Sequence, residues 1–315
     1  MKDLIIIGGS AAGTAAAVYA ARRKLDFVMV SKDLGGEVAL SGEVLNYPGF
    51  SQTTGTDLVE KFQDQLKFNE IEPETGVEVQ TVKKQQDGSF AVMAVKSGGD
   101  VVYEAKAVII ATGVHPRHLG VPGEEEFRGK GVSYCTTCDG PLFKNKKVVT
   151  IGGGNSALES ALMLAEIADA VTIINIHGQF KGDQVLIDKA NSNDKVTIIY
   201  NSETQRIEGE MLMKSLTYKD KESGEEKMIE ADGAFIHIGW IPNSDMAGDE
   251  VNKDKWNGIQ VSAKMETNIA GLYAAGDVTD MPFKQIAIAT GQGVIAALSA
   301  IEYVNGLSSI QSGNH

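Results

Sequence analysis

The sequence predicts an α/β fold with two dinucleotide-type strand–turn–helix units, and three features of the chain predict it. "LIIIGGSAAGTAAAVYAARR" opens with one such unit and "KKVVTIGGGNSALESALMLAE" repeats it in mid-chain. The third feature is the pair "VVYEAKAVIIATG" and "GLYAAGD", each a hydrophobic strand ending in a small-residue turn that can bring backbone close to a ligand. In the first unit Leu4 to Ile7 form a buried strand, a tight turn follows, and an alanine-rich helix runs from about Ala12 to Arg22. That order places backbone N–H groups and the positive end of a helix dipole where a pyrophosphate can sit. Ser10 takes the place of the usual second glycine of GxGxxG and narrows the approach to the phosphates.

In the second unit the strand is Val148 to Ile151, the turn is Gly152, Gly153 and Gly154, and the helix is opened by Asn155 and Ser156. Ala157, Leu158, Ala161, Leu162 and Ala165 make its apolar face. Two such units imply two dinucleotides. The next strand, in "DAVTIINIHGQFKGD", ends near the ribose of the second cofactor, where a carboxylate favours NAD and arginines favour NADP. The chain offers Asn175, Ile176 and His177 there, with Lys181 further on. That is neither a carboxylate nor an arginine pair, so these residues leave both cofactors open, with NADH favoured because no arginine is present.

A chain of 315 residues holds about two domains. It shows no continuous apolar run near the roughly 20 residues of a membrane span. "DLIIIGG" enters a strand at once, without the basic region and cleavage site of a secretory signal, so the expectation is a soluble, cytoplasmic protein. A net charge of -13 argues against nucleic acid or an anionic membrane as partner.

The two cysteines both lie in "SYCTTCDGP", as Cys135 and Cys138. A zinc site needs four ligands, and the histidines are not spaced to complete one. A structural bridge across two residues closes too small a loop to remove much unfolded-state entropy, and a cytosolic disulfide tends to be reduced. A redox couple is the remaining reading: a CxxC can lower the pKa of one thiol and supply a thiolate at neutral pH. Asp139 follows directly and can carry protons to and from the leaving thiolate.

"GGSAAG", "GGEVALSGEVLNYPG", "IIATGVHPRHLGVPGEEEFRGKGVSYCTTCDGPLFKNKKV", "GGGNSALESAL" and "GLYAAGDVTDMPFKQIAIATGQG" together resemble the low-molecular-weight thioredoxin reductase family over almost the whole chain. Within it, "FKGDQVLIDKANSNDKVTII" and "YKDKESGEEKMIEADGAFIHIGWIPN" are similar to the reductase portion of alkyl hydroperoxide reductase flavoproteins. Those carry an extra N-terminal thioredoxin-like module, which is expected here as a separate protein. The resemblance implies two Rossmann-like, three-layer ββα domains: an FAD domain of residues 1–114 and 244–315, interrupted by an NAD(P) domain of residues 115–243 that carries the CxxC. The crossings fall at "GVHPRHLGVPG" and "GWIPNSD".

By the same resemblance Gly8, Gly9, Ser10, Ala11, Ala12 and Gly13 hold the FAD pyrophosphate, Gly36 and Glu37 lie along the cofactor, and Asp277 bonds ribityl hydroxyls. Asn46, Lys284, Gln285 and Ile286 approach the ring, and Ser31, Val79, Ala111, Thr112, Gly113 and Gly276 complete that site. Glu37 stands where the family commonly has glutamine. Gly152 to Gly154, Asn155, Ser156, Ala157, Glu159, Asn175 and Lys181 form the nicotinamide-nucleotide site. The implied chemistry runs from NADH or NADPH to FAD, then to the Cys135/Cys138 disulfide, with Cys138 facing the flavin, Cys135 attacking the partner and Asp139 handling protons. A domain rotation, a homodimer and a thioredoxin- or glutaredoxin-like acceptor are also implied.

Three alternatives stand beside that reading: a ferredoxin donor, motivated by the missing basic cluster at Asn175 to His177; a small-molecule dithiol oxidase; and a flavin redox sensor without turnover. His237, within the apolar "AFIHIGWIPN", reads as a satisfied core residue, and the charge run "GEEEFRGK" as a solvated loop. "KQQDGSFAV", "KSGGDVVY" and "YKDKESGEEKM" read as hairpin turns. The tail "GLSSIQSGNH" has no assignment: it reads as a frayed terminus, and the alternative, from relatives whose C-terminal tail covers the flavin, would give His315 a role.

Overall fold

The computed structural model describes residues 1–41 and 43–312, so His315 lies outside the described residues. The chain begins with β1 (Lys2–Ile7), α1 (Ala11–Arg22), β2 (Phe27–Val30), β3 (Glu43–Val44), β4 (Thr53–Thr54) and α2 (Gly55–Phe68). Three longer strands follow, β5 (Val77–Lys84), β6 (Phe90–Lys96) and β7 (Gly99–Ile110), and then the short β8 (Val114–Pro116). The middle of the chain contains β9 (Val132–Ser133), α3 (Thr136–Asp139), β10 (Lys147–Ile151), α4 (Asn155–Ala165), β11 (Ala170–Ile174), α5 (Gln184–Asn191) and β12 (Val196–Ile199). It continues through β13 (Ser202–Gly209), β14 (Met213–Asp220), β15 (Glu226–Glu230) and β16 (Gly233–Ile236). The return consists of β17 (Trp240–Pro242), β18 (Leu272–Ala274) and α6 (Ile286–Ser312).

Contacts divide the chain into two compact units, one of residues 1–40, 47–115 and 241 onward, the other of residues 41–46 and 116–240. Residues 41–46, Asn46 among them, group with the second unit, where β3 lies beside α3. The division expected from sequence keeps that segment with its flanking residues instead. β8 and β17 pair with one another where the chain crosses.

In the first unit the sheet order among the described residues is β2-β1-β7-β6-β5, with β18 also paired to β7. β7 serves two sheets' worth of partners, and its sequence shows why. Its first half alternates exposed and half-buried residues and pairs antiparallel with β6, whereas "AVII" at its end is buried throughout and lies parallel to β1 and β18. On one face Leu4, Ile6 and Ile109 meet Ala16, Ala17 and Ala20 of α1 and Ala296, Ala297 and Ala300 of α6. On the other, Ile5, Ile7, Val108 and Ile110 meet Val82, Phe90 and Val92 of the antiparallel strands. The three layers are thus helices, parallel sheet and meander.

The second unit repeats the plan. β12-β11-β10-β16-β9 form its parallel sheet and β13-β14-β15 its antiparallel one. Leu158, Ala161, Leu164 and Ala165 of α4 cover Val148, Val171 and Ile173, while Ile207 and Leu216 cover Val149, Ile151 and Ile174. The three hairpins read from the sequence join β5 to β6, β6 to β7 and β14 to β15.

One element departs from the sequence reading. Ile286–Leu307 of α6 is long and apolar enough, by length and composition, to cross a membrane, and 44% of its most apolar window is buried. Glycines and polar residues in "ATGQG" break the continuous run that the sequence criterion required, and the alanines that follow fit closely against α1.

Candidate functional site

The first glycine turn joins β1 to α1. Gly8 has φ +125°, and a Cβ there would run into the carbonyl of Ala111, while one on Gly13 would run into the carbonyl of Gly8. Strand β1, helix α1 and the "ATG" turn therefore approach closely only because these positions are glycine. Ser10 precedes α1 without capping it, and no acidic residue lies in the first turn, so the leading N–H groups keep their donor capacity for an anion. The Ser10 hydroxyl instead donates to the Gly35 carbonyl at 2.6 Å, and the Gly35 N–H donates to Gly9 at 2.9 Å. These contacts tie the turn to the segment that leads into Gly36. Ser31, at the end of β2, donates to the Asp33 carbonyl, and Val79 is half-buried in β5.

A substitution at Gly13 tests this packing. Gly13→Val is expected to lower stability by about 3 kcal/mol, a size typical of a buried clash. A variant with the wild-type melting midpoint would contradict it.

Asp277 follows the turn after β18 and is half-buried. Burial pushes its carboxyl up to about 6; the Lys284 ammonium pulls the other way, and the Glu37 carboxylate adds to the rise. Among the described residues no hydrogen bond reaches that carboxylate. Gln292 of α6 is buried, accepts from the Gly276 N–H at 2.7 Å, and has its amide nitrogen unpartnered among the described residues. Donor groups at α1, an acceptor at Asp277 and a donor at Gln292 fit the phosphates and hydroxyls of a dinucleotide such as FAD. Lys284 donates to the Thr279 carbonyl at 2.7 Å, and Gln285 accepts from the Ala289 N–H as Ile286 begins α6. Asn243 locks the turn of Ala111, Thr112 and Gly113: it donates to the Thr112 carbonyl at 2.8 Å, and its carbonyl accepts from the Thr112 hydroxyl.

The second glycine turn, between β10 and α4, has the same build. Gly152 has φ +149°, and a Cβ there would strike the carbonyl of His237. Gly154 precedes α4 with open space where its side chain would be, and α4 has neither a side-chain cap nor an acid in its first turn. Ala157 is buried and Ser156 and Glu159 are exposed, while the Asn155 side chain accepts from the Asp183 N–H at 2.7 Å. Lys181 is exposed, and its N–H donates to the Gly153 carbonyl. Asn175 lies against Gly153 of the glycine turn. It is fully buried, accepting from the His177 N–H at 3.0 Å and donating to the Gln179 carbonyl at 3.0 Å, so its amide braces the loop. The exposed side chains there are those of Ile176, His177 and Gln179.

Cys135 and Cys138 form a disulfide with Cα atoms 5.3 Å apart, at the start and within the single turn of α3. The Cys138 N–H points at the Cys135 sulfur at 3.3 Å, an arrangement that stabilises negative charge on that sulfur after reduction. Ser133, on β9, accepts from the Cys135 N–H at 3.1 Å and donates to the Asp139 carboxylate at 2.6 Å. Strand β9 thereby fixes Asp139 beside the disulfide. Between the cysteines, the buried Thr136 hydroxyl lies 2.6 Å from the Ser160 hydroxyl of α4 and 2.8 Å from Nε2 of His237. The sequence reading missed Ser133, Asn243, Gln292 and this contact of His237.

Burial alone holds the His237 imidazole down at about 4, against 6.5 for a free ring. The folded ring is neutral at pH 7. Between pH 6.5 and about 4 the unfolded chain binds the extra proton, so stability is full above that window and declines as pH falls through it, by about 3 kcal/mol at most. His237→Gln should flatten that part of the curve of melting midpoint against pH. Identical slopes in the two proteins would argue against it.

Residues 2–293 match the family model described as pyridine nucleotide-disulphide oxidoreductase. The chain is 38% identical over 310 residues to an alkyl hydroperoxide reductase subunit of Escherichia coli, and 36% identical over 302 residues to an NADH dehydrogenase of Bacillus subtilis. Each match covers 96% of this chain and 58% of the relative, so the chain spans a little under three fifths of their length. Among solved structures, a thioredoxin reductase from Streptococcus pyogenes superposes with a TM-score of 0.89 at 34% identity, over 97% of this chain and 99% of that one.

Proposed function

The chain belongs to the pyridine nucleotide-disulphide oxidoreductase family, and on that premise we propose that it passes electrons from NADH through FAD to the Cys135–Cys138 disulfide, and on to a thioredoxin- or glutaredoxin-like protein disulfide. The observation that carries this reading is the bridged CxxC with Asp139 held against it by Ser133. The first unit is the FAD-binding domain in this reading and the second the NAD(P)-binding domain; the assembly is a cytoplasmic homodimer. When bound, FAD supplies a two-electron link between nicotinamide and disulfide.

The residues then divide the work. The glycine turns at Gly8–Gly13 and Gly152–Gly154 bind the two pyrophosphates, and Asp277 accepts from hydroxyls of the cofactor chain. After reduction the Cys138 N–H supports a thiolate at Cys135, which attacks one sulfur of the partner's disulfide and expels the other. Cys138, deprotonated by Asp139, then attacks Cys135, closing the original disulfide and releasing the partner as a dithiol. The absence of arginine around Ile176, His177 and Lys181, together with the likeness to an NADH dehydrogenase, favours NADH.

Anaerobic rapid mixing of flavin-loaded protein with each nicotinamide tests the donor. Bleaching of the flavin by NADH well ahead of NADPH is the expected result. Failure with both would overturn the nicotinamide assignment and favour a reduced ferredoxin as donor.

A further inference from the structure

A neutral imidazole sits between the disulfide and the second glycine turn. His237 lies one residue beyond β16, and its main-chain N–H donates to the Ile151 carbonyl at 2.8 Å, directly before Gly152. Its carbonyl lies so close to Gly152 that only glycine fits there. The ring reaches the other way, to the Thr136 hydroxyl at 2.8 Å, and Thr136 meets Ser160 at 2.6 Å. Ser160 belongs to α4, which the Gly154 end of the same turn begins. The contacts close a circuit: glycine turn, α4, Ser160, Thr136, His237, and back to Ile151. Thr136 is the residue after Cys135, so the circuit passes through the CxxC itself. Thr136 and Ser160 are 5% and 3% exposed, which leaves water little access to replace a lost partner.

We propose that His237 is a positioning residue for the redox couple: through Thr136 it holds the turn bearing Cys135 and Cys138 in the geometry that keeps both sulfurs in bridging distance, and so favours the disulfide over the dithiol. The proposal rests on the redox reading of the CxxC given above. Reduction breaks the S–S bond and takes two electrons and two protons to yield two thiols. A turn that stays clamped in the reduced state keeps the thiols near one another and so raises the tendency to re-form the bond. Without the clamp the dithiol gains freedom, and the couple becomes easier to reduce.

The test uses the full chain equilibrated in dithiothreitol redox buffers of graded ratio, with reduced thiols trapped by alkylation and counted by mass. His237→Leu is expected to shift the equilibrium toward dithiol by about tenfold, which corresponds to about 30 mV for a two-electron couple. Thr136→Val, which removes the hydroxyl and keeps the shape, should shift it in the same direction. His237→Gln, whose amide reaches about as far as Nε2, should restore most of the wild-type value. Unchanged equilibria in both His237→Leu and Thr136→Val would overturn the proposal, as would a shift that glutamine leaves uncorrected. Failure of Cys135 and Cys138 to exchange with the buffer at all would refute the redox reading and the proposal with it. Exchange with an unmoved equilibrium would refute the proposal alone.

Discussion

On the proposed route, Cys138→Ser is expected to lower the steady-state reduction of a protein disulfide by about a thousandfold or more, and to leave reduction of the flavin by NADH intact. The expectation follows from the cysteine count: the chain has two cysteines, both are in this disulfide, and none is left to substitute. Serine preserves volume but its hydroxyl is neither a thiolate at neutral pH nor able to form the bridge. Cys135→Ser should be as severe for the acceptor. The two variants differ in how they stall, because only a chain retaining Cys135 can form a mixed disulfide with its partner that persists. Trapping that adduct with Cys138→Ser and not with Cys135→Ser would establish the order of attack; the reverse pattern would exchange their roles.

Asp139→Asn is expected to reduce disulfide turnover by about 10²–10⁴-fold, the range for a positioned proton donor and acceptor. Asparagine keeps the shape beside Ser133, and its carbonyl can still accept the hydroxyl that now lies 2.6 Å from the carboxylate. In the proposed mechanism, what is lost is the ability to carry a proton between Cys138 and solvent. The melting midpoint should therefore change little while turnover collapses, and external small acids should recover part of the rate. A variant with wild-type turnover would remove Asp139 from the mechanism. Ser133→Ala makes a milder companion, since it frees the carboxylate without removing it.

Much of the architecture was legible because it depends on local pattern. "LIIIGG" and "VVTIGGG" give strands and turns by their apolar runs and glycines, and the helices after them begin within a residue of where the sequence places them. The hairpins of the first unit's meander were legible from their Asp-Gly and Gly-Gly turns. The CxxC was legible by composition alone. The rest depends on contacts between distant residues. His237 meets Thr136 across 101 positions, and Asn243 meets Thr112 across 131. A lone histidine in an apolar strand has no local signature for such a partner. Sequence gives the place of Asn175 at the end of β11 but not the direction of its side chain, which turns inward beside Gly153. Gln292 was hidden inside an alanine-rich helix whose local pattern says only that it is buried.

The most direct test of electron flow through the disulfide is an anaerobic titration of the flavin-loaded chain with NADH, following flavin absorbance and free thiols together. The wild-type chain should accept about four electrons, two at the flavin and two at Cys135–Cys138, and Cys138→Ser should accept about two. A wild-type chain that stops at two electrons with its flavin bleached and its disulfide intact would contradict the proposed route.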